Sequence, residues 1–304
     1  MKRIYRRCRR VYHIIVNKIA GNGKGLRMWK EAEKYLEEKN VTYLISFTEY
    51  AGHAGELIEN IDENLIHAVV VVGGDGTIHE VVNKLVHKKV ALGIVPAGSG
   101  NDLARSLGVP FAVEGALSRI LKGSYQLIDV PKVEEEHYIS IAGLGFDGKV
   151  AEVTNRSRSK RLLNKLGLGG LSYVLNIFRV LFTYQPSDVS IAVDEKIYKF
   201  QDVWLIAVAN LPYYGGGIMI CPDACGNDGA LDICVVSGIG RWELLFVFPL
   251  AFRGKHIKHR NVTMLRGASI KISPSSSMVM QCDGEIVQNK KAHFSVDENA
   301  LKIF

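Results

Sequence analysis

The stretch Ala68-Val69-Val70-Val71-Val72-Gly73-Gly74-Asp75-Gly76-Thr77 joins a continuous apolar run to a glycine-rich turn. A run of this kind is typical of a buried strand in a parallel sheet. Residues 77–87 then carry the pattern of a helix, so strand, glycine turn and helix follow one another. Parallel sheets bind ligands at the carboxyl ends of their strands, which makes the turn at 73–76 a candidate binding site.

The same alternation extends over the first 130 residues and predicts an α/β domain built from βαβ units. A second glycine-rich turn that follows a strand lies at 98–100, and a third lies at 17–25. The apolar periodicity predicts strands at 11–16, 41–47, 68–72 and 90–95, and helices at 26–39, 53–61 and 77–87.

After about residue 130 the chain becomes β-prone, which predicts a second domain that is a β-sandwich. One helical insert, at 159–182, interrupts it. We place the domains at 1–129 and 130–304, with the last strand near Leu301–Phe304 free to return to the first domain. The predicted short strands lie at 138–142, 189–193, 203–209, 231–236, 268–273, 278–282 and 292–296.

Composition sets limits on the class of protein. The 304 residues are 47% apolar and 23% charged, which is typical of a globular protein with a sizeable core. The 38 basic and 31 acidic residues give 38 − 31 = +7, a scattered excess that suits phosphate ligands or an anionic membrane surface but not a dedicated nucleic-acid binder. The longest apolar run, Leu244 to Phe252, contains Pro249 and is too short to span a bilayer. Five scattered cysteines suit a reducing cytoplasm.

Two glycine turns carry candidate chemistry. In Gly73–Thr77, backbone amides can approach a phosphate closely, and Asp75 fits there if Mg²⁺ lies between it and the phosphate or if it handles a proton. In the segment 96–104, Ser99 and Asn101 can donate to phosphate oxygens, and Asp102 can cap the following helix or act as a charge partner. A plain tight turn remains the alternative at both places.

Taken together, these stretches resemble the diacylglycerol kinase catalytic-domain family. The resemblance rests on Gly73–Thr77, on Ile78-His79-Glu80-Val81-Val82-Asn83 after it, and on the segment 96–104. Bacterial soluble lipid kinases are the nearest branch, with sphingosine and ceramide kinases as relatives. Asn17 and Gly21 match the N-terminal Asn-Pro-x-Ser-Gly turn of the family, although Lys18 and Ala20 replace its Pro and Ser.

The resemblance implies a lipid kinase that binds ATP in a cleft between an α/β domain and a β-sandwich domain. It implies transfer of the γ-phosphoryl group to the hydroxyl of diacylglycerol or a similar lipid, which gives a phosphatidic-acid-type product. Asp75 would in addition organise Mg²⁺ and water. The residues that it implies as ATP contacts are Asn17, Thr48, Gly73, Gly74, Asp75, Gly76, Thr77, Ser99 and Asn101.

Two C-terminal turns extend the resemblance. The segment 225–232 resembles an Asp-Gly-x-Leu-Asp turn, in which the Asp228 carboxylate and the carbonyls of Cys225 and Ala230 would hold Mg²⁺; a type I′ hairpin turn at Asp228-Gly229 is the alternative. Asp283-Gly284-Glu285 resembles the segment whose Glu is the general base, so Glu285 would take the proton of the lipid hydroxyl. A solvated hairpin tip is the alternative there, and Asp75 is the rival base.

The expected partner is a lipid substrate at the inner face of the membrane, with peripheral contact and no nucleic acid. Arg156, Arg158, Lys160, Arg161 and Lys165 precede an amphipathic segment at 171–182 and could dock on anionic headgroups; a solvated basic face is equally open. The oligomeric state, a homodimer included, is also open.

Two other functions compete. An NAD kinase-like phosphotransferase would share the glycine turn, but the chain has no Asn-Glu dipeptide, which NAD kinases carry after that turn. A nucleotide-binding regulator at the membrane surface that catalyses nothing would not need Asp75, Asp228 and Glu285 together.

Overall fold

The computed structural model of the chain describes residues 10–156, 169–287 and 292–304. Its first part alternates strands and helices: β1 (Val11–Val16), α1 (Ala20–Glu38), β2 (Thr42–Phe47), α2 (His53–Glu56), β3 (Ile66–Gly73), α3 (Asp75–Leu85), β4 (Ala91–Pro96), α4 (Asp102–Ser106) and α5 (Val113–Lys122). The rest is mainly β: β5 (Gln126–Val133), β6 (Glu136–His137), β7 (Ile141–Gly145), α6 (Phe146–Arg156), α7 (Gly169–Thr183), β8 (Ser187–Val193), β9 (Lys196–Ala209), β10 (Tyr213–Tyr214), β11 (Ile218–Met219), β12 (Leu231–Ser237), α8 (Arg241–Ala251), a 3₁₀ turn (Lys255–Lys258), β13 (Val262–Gly267), β14 (Ile270–Pro274), β15 (Met280–Cys282), β16 (Glu285–Val287) and β17 (Ala292–Ile303).

The described chain forms two compact units. The first unit contains residues 10–98, 109–126 and 301–304, and the second contains 99–108 and 127–300. The chain passes from the first unit to the second after Gln126, three residues before the predicted division after Asp129. The short segment 99–108 also belongs to the second unit.

The first unit is a parallel sheet in the strand order β2-β1-β3-β4. Ile303 continues the sheet beside Leu92 of β4, again in parallel. The apolar run Val69–Val72 in β3 is fully buried, because helices α1 and α3 pack on the sheet. All four strands point the same way, so their carboxyl ends, and the residues that follow them, lie along one edge.

The second unit is built on antiparallel strands around β9. The first half of β9 pairs with β8, and its second half pairs with β7 and β12. Successive side chains of β9 enter two different cores, as the two-residue period of a strand requires. Ile206 and Val208 pack with residues of β8 and β14, whereas Ala207 and Ala209 pack with α6, α7 and α8.

The predicted fold class, an α/β domain followed by a β-rich domain, is confirmed, but four helices differ from the prediction. The helix expected at 53–61 is only four residues long, and α5, α6 and α8 were not predicted. The basic residues at 158, 160, 161 and 165 lie outside the described residues. Within the described ranges, none of the helices combines the length and the apolarity that a bilayer crossing requires.

Candidate functional site

A polar cleft of about 730 Å³ lies in the first unit where the parallel strands end. The residue after β1, Asn17, and the residue after β2, Thr48, both line this cleft. The first unit therefore brings together five of the predicted ATP contacts: Asn17, Thr48, Gly74, Gly76 and Thr77.

Asn17 and Thr77 are tied to each other in this cleft. The Asn17 amide Nδ2 donates to the Thr77 Oγ1 over 2.9 Å, and the backbone N–H of Asn17 donates to the Val72 carbonyl over 3.0 Å. The Asn17 Oδ1 accepts from the Ile19 N–H over 3.2 Å. These bonds fix the turn after β1 against the start of α3.

Glycine is required at Gly73 and Gly74 because neighbouring atoms approach them closely. A Cβ on Gly74 would lie 2.9 Å from the Cα of Gly98, and one on Gly73 would lie 3.0 Å from the Cβ of Thr77. Gly21, with a φ of 54°, leaves no space for a Cβ beside the Ala97 carbonyl. Within the first unit, Gly21 therefore packs directly on Ala97, and Gly74 packs directly on Gly98.

Helix α3 begins at Asp75, and its first intrahelical bond runs from the Ile78 N–H to the Gly74 carbonyl over 3.1 Å. The backbone amides of a helix's first turn have no partner inside the helix, and the helix dipole adds positive potential there. Gly76 and Thr77, which carry two of those amides, line the cleft. Asp75 is half-buried in the same first turn.

Three charged residues of the cleft were missed by the sequence analysis. The Glu80 carboxylate accepts from the N–H groups of Gly52 and Ala54 over 2.8 and 3.1 Å, which holds the turn before α2 against α3. Lys18 and Glu49 also line the cleft. The sequence analysis named Glu80 as part of the family motif but gave it no role. Its position three residues after Thr77 on a helix could have placed it on the same side of α3 as the cleft.

Gly73 and Asp75 lie in the first unit but are not among the residues that line the cleft. Ser99 and Asn101, the other two predicted ATP contacts, lie in the segment that belongs to the second unit. Ser99 is exposed, whereas Asn101 is buried and left-handed (φ 54°) just before α4. Burial raises the pKa of Asp102, opposed by the Gly216 N–H, which donates to its Oδ2 over 2.7 Å, and by the charge of Arg105. Of the two roles expected for Asp102, it does not cap α4 but is a charge partner, since its Oδ1 lies 3.7 Å from the Arg105 Nε. It also anchors the glycine-rich loop at 215–217.

Glu285 is exposed directly after a two-residue hairpin turn. Asp283 and Gly284 have φ values of 49° and 96°, the two positive angles of a type I′ turn. The Asp283 carboxylate accepts from the N–H groups of Ile139, Ser140 and Ile141 over 2.7, 2.9 and 3.2 Å. The Asp therefore anchors the turn, and the Glu projects beyond it.

Asp228, the predicted magnesium ligand, is engaged by protein groups. Its Oδ1 accepts from the Ala230 N–H over 3.2 Å, and its Oδ2 pairs with the Arg266 guanidinium. Gly229 has a positive φ but Asp228 does not, so this turn is not the alternative type I′ hairpin. The carbonyls of Cys225 and Ala230 are the oxygen donors that Mg²⁺ prefers, but the carboxylate already faces a cation. The Asp228 carboxylate thus has protein partners in this structure, and its role as a magnesium ligand stays a prediction.

A second, apolar cavity of about 270 Å³ lies in the second unit between β9 and the helices around it. Its walls are almost entirely aliphatic and aromatic, and they include Phe146, Leu181, Trp204 and Phe248. Two of its polar residues, His256 and Asp147, are both partnered. The His256 Nε2 lies 3.0 Å from the Ile220 carbonyl, and burial lowers the pKa of this histidine, so the ring is neutral at pH 7.

Asp147 connects the apolar cavity to the Glu285 hairpin. Burial raises the pKa of Asp147 to about 6, although hydrogen bonds from Gln281 and Tyr214 oppose the shift. The Gln281 Nε2 donates to the Asp147 Oδ2 over 2.8 Å, and the Gln281 Oε1 accepts from the Gly284 N–H over 2.6 Å. One side chain thus links the turn before Glu285 to the carboxylate of the cavity.

Two family descriptions match adjoining parts of the chain. Residues 11–133 match the diacylglycerol kinase catalytic domain. Residues 140–304 match the YegS C-terminal NAD kinase beta sandwich-like domain. The matches together take in the polar cleft, the apolar cavity and both C-terminal turns.

Curated relatives and solved structures agree with these matches. A diacylglycerol kinase of Staphylococcus epidermidis is 30% identical to this chain, and the match covers 96% of this chain and 90% of the relative. A diacylglycerol kinase of Bacillus subtilis is 32% identical, and that match covers 71% of this chain and 70% of the relative. A crystal structure of a diacylglycerol kinase from Bacillus anthracis has the same fold, with a TM-score of 0.71 at 22% identity over 97% of this chain and 96% of that chain. The chain therefore belongs to the diacylglycerol kinase catalytic-domain family and is a lipid kinase, a diacylglycerol kinase-like phosphotransferase.

Proposed function

We propose that the enzyme transfers the γ-phosphoryl group of ATP to the free hydroxyl of diacylglycerol and so makes a phosphatidic-acid-type product. Two curated relatives at 30% and 32% identity are named diacylglycerol kinase, which supports this acceptor. Further support comes from the polar cleft of the first unit and the apolar cavity of the second unit.

The polar cleft is suited to the phosphates of ATP. Backbone amides of the first turn of α3 and the amide and hydroxyl groups of Asn17, Thr48 and Thr77 are donors at one place. Because Gly74, which lines the cleft, has no side chain, its backbone is accessible to a phosphate oxygen. Asn17, held through Thr77 and Val72, is positioned in advance of binding.

Magnesium would enter as part of the nucleotide substrate, with Asp75 as the residue that holds it. A carboxylate in a turn that also presents amides to phosphate needs a cation between the two anions. Asp75 has that position in the first turn of α3. Asp228, which Arg266 engages, is the weaker choice in this structure.

The apolar cavity is the observation that supports a lipid as the acceptor. A nucleotide acceptor such as NAD needs polar and charged groups around it, whereas this cavity is lined by aliphatic and aromatic side chains with Asp147 as the only acid in its described lining. An acyl chain can replace water along these apolar walls, while Asp147 and the His256 Nε2 keep their protein partners. This observation favours a lipid kinase over the NAD kinase-like alternative.

Glu285 is the proposed general base. A lipid hydroxyl has a pKa far above 7, so removal of its proton helps the oxygen attack the γ-phosphorus. The O–H bond of the lipid breaks, the proton goes to the Glu285 carboxylate, the new P–O bond forms, and ADP leaves. The anchored turn at Asp283 and Gly284 fixes the backbone from which Glu285 projects.

The test is phosphorylation of diacylglycerol in detergent micelles with labelled ATP, using Asp75→Asn and Glu285→Gln. Each variant is expected to lose about 10³-fold in kcat or more. Glu195→Gln is the matched control, because Glu195 is also exposed at a two-residue hairpin turn of the second unit and should keep full activity.

Other acceptors decide between the competing functions. A parallel assay with sphingosine, ceramide, phosphatidylglycerol and NAD should show the highest kcat/KM on diacylglycerol. NADP formation without lipid labelling would overturn the proposal in favour of an NAD kinase-like enzyme. Tight ATP binding with no turnover on any acceptor would overturn it in favour of a regulator.

A further inference from the structure

Helix α8 turns a row of large apolar side chains towards solvent. Trp242, Phe246 and Leu250 are 68%, 79% and 40% exposed, and their spacing of four residues puts them on one side of the helix. Phe182 of α7, 52% exposed, contacts Trp242 with ring centroids 5.7 Å apart. We call these four residues the aromatic face.

The other side of α8 is apolar too. Leu244, Leu245 and Phe248 line the apolar cavity, as does Leu181 of α7. A helix on the surface of a globular protein normally carries polar residues opposite its buried side. Here the same two helices present apolar groups both to the cavity and to the surrounding medium.

The chain around the aromatic face is basic. Residues 241–260 contain Arg241, Arg253, Lys255, Lys258 and Arg260 but a single acid, Glu243. Glu243 lies 3.4 Å from the His259 Nε2 and 3.7 Å from the Arg260 Nη2, so its charge is compensated locally. The net positive charge beside the apolar row is complementary to a surface that combines anionic groups with hydrocarbon.

We propose that the aromatic face is the membrane-docking surface of the enzyme and that its partner is an anionic lipid bilayer. Trp242 and Phe246 enter the interface between headgroups and acyl chains, where aromatic rings are favoured, while Arg253, Lys255 and Lys258 face the headgroups. This inference goes beyond the proposed function, because docking needs neither ATP nor turnover. A second copy of the chain is the competing occupant, and the test below distinguishes it.

Tryptophan fluorescence tests the proposal in the unmodified protein. The other two tryptophans, Trp29 and Trp204, are buried, so Trp242 dominates any response to a surface partner. Vesicles of phosphatidylcholine and phosphatidylglycerol should shift the emission to shorter wavelength, and brominated acyl chains should quench it. Failure of brominated lipids to quench would show that Trp242 does not enter the bilayer and would overturn the proposal.

Surface variants provide the second arm. The double variant Trp242→Ser, Phe246→Ser should reduce co-sedimentation with these vesicles about tenfold or more. Ile197→Ser, at a residue 70% exposed elsewhere in the second unit, is the control and should bind normally. Full vesicle binding by the double variant would overturn the proposal, as would a wild-type dimer that the double variant converts to a monomer without loss of vesicle binding.

Catalysis in micelles separates this proposal from the proposed function. With short-chain diacylglycerol in detergent micelles the double variant should keep its activity, because neither residue lines the cleft or the cavity as described. On vesicles its activity should fall with its binding. If the wild type docks on vesicles but phosphorylates no lipid, the docking surface is supported and the proposed function is wrong. If the wild type is active but does not bind vesicles, the proposed function is supported and the docking surface is wrong.

Discussion

The polar cleft of the first unit and the apolar cavity of the second unit are built from different parts of the chain. The cleft is formed by backbone groups, glycines and short polar side chains at strand ends, with Asn17 bonded to Thr77. The cavity is formed by large side chains of α6, α7, α8 and β9, and it holds one acid, Asp147, in its described lining.

Because they are built differently, the cleft and the cavity should respond differently to amino-acid substitutions. A phosphate is bound by directional hydrogen bonds, so a shift of the backbone by less than an ångström removes several contacts at once. An acyl chain is bound by area and volume, so the loss or gain of a side chain has a graded effect. Three substitutions test the comparison, in order of expected effect.

The largest effect is expected for Gly74→Val. Even a Cβ at this position would lie 2.9 Å from the Cα of Gly98, so the two glycine turns must separate. We expect kcat/KM to fall about 10³-fold with ATP as the varied substrate. Gly240→Val is the control, because a Cβ at Gly240 meets no atom within 4 Å. Near-normal activity of Gly74→Val would show that the close approach is dispensable.

A substitution in the cavity should change stability in a pH-dependent way. Burial raises the pKa of Asp147 from 3.8 to about 6, so the folded chain keeps this proton between those pH values and the unfolded chain releases it. Wild-type stability therefore falls as the pH rises from about 4 to about 6 and stays lower above that. Asp147→Asn removes the charged form and should raise the free energy of unfolding at pH 8 by up to roughly 3 kcal/mol, with little change near pH 4.

Denaturant unfolding at pH 4 and pH 8 measures the Asp147 prediction. The exposed Glu195→Gln variant should unfold at the wild-type denaturant concentration at both pH values. If Asp147→Asn destabilised the protein equally at both, the hydrogen bonds from Gln281 and Tyr214 would matter more than the cost of burying the charge.

The smallest effect is expected for Ala251→Phe, which fills part of the cavity. Ala251 is buried in the cavity wall at the end of α8. We expect kcat/KM for a long-chain diacylglycerol to fall about tenfold, with a smaller loss for a short-chain lipid and an unchanged KM for ATP. Equal losses of kcat/KM on both lipids would show that this cavity does not bind the acyl chain.

The same contrast explains what could be predicted from the sequence. Strand β3 and its turn were predicted closely, because a fully apolar run that ends in glycine carries its signal in consecutive residues. The turns at 17–25, 73–76 and 98–100 were identified in the same way. The packing of Gly21 on Ala97 and of Gly74 on Gly98 could not be predicted, since it depends on the order β2-β1-β3-β4 in space.

The cavity left almost no signal in the sequence. Phe146, Leu181, Trp204 and Phe248 come from four separate elements, and each alone looks like an ordinary core residue. Asp147 stands in Gly145-Phe146-Asp147-Gly148 with nothing to mark it as buried. Helix α8 was noted only as an apolar run too short for a bilayer, since Pro249 obscured its helical period.

The pairing of Ile303 with Leu92 has a consequence for biosynthesis. The free edge of β4 is paired by the end of β17, which the ribosome makes only after the whole second unit. The Phe304 N–H donates to the Leu92 carbonyl over 3.0 Å. During translation the nascent sheet therefore has an open edge at β4 in addition to the one at β2, and strands of other chains can attach there. Nucleotide-binding competence should thus appear late, when β17 has docked beside β4, rather than as soon as β4 leaves the exit tunnel.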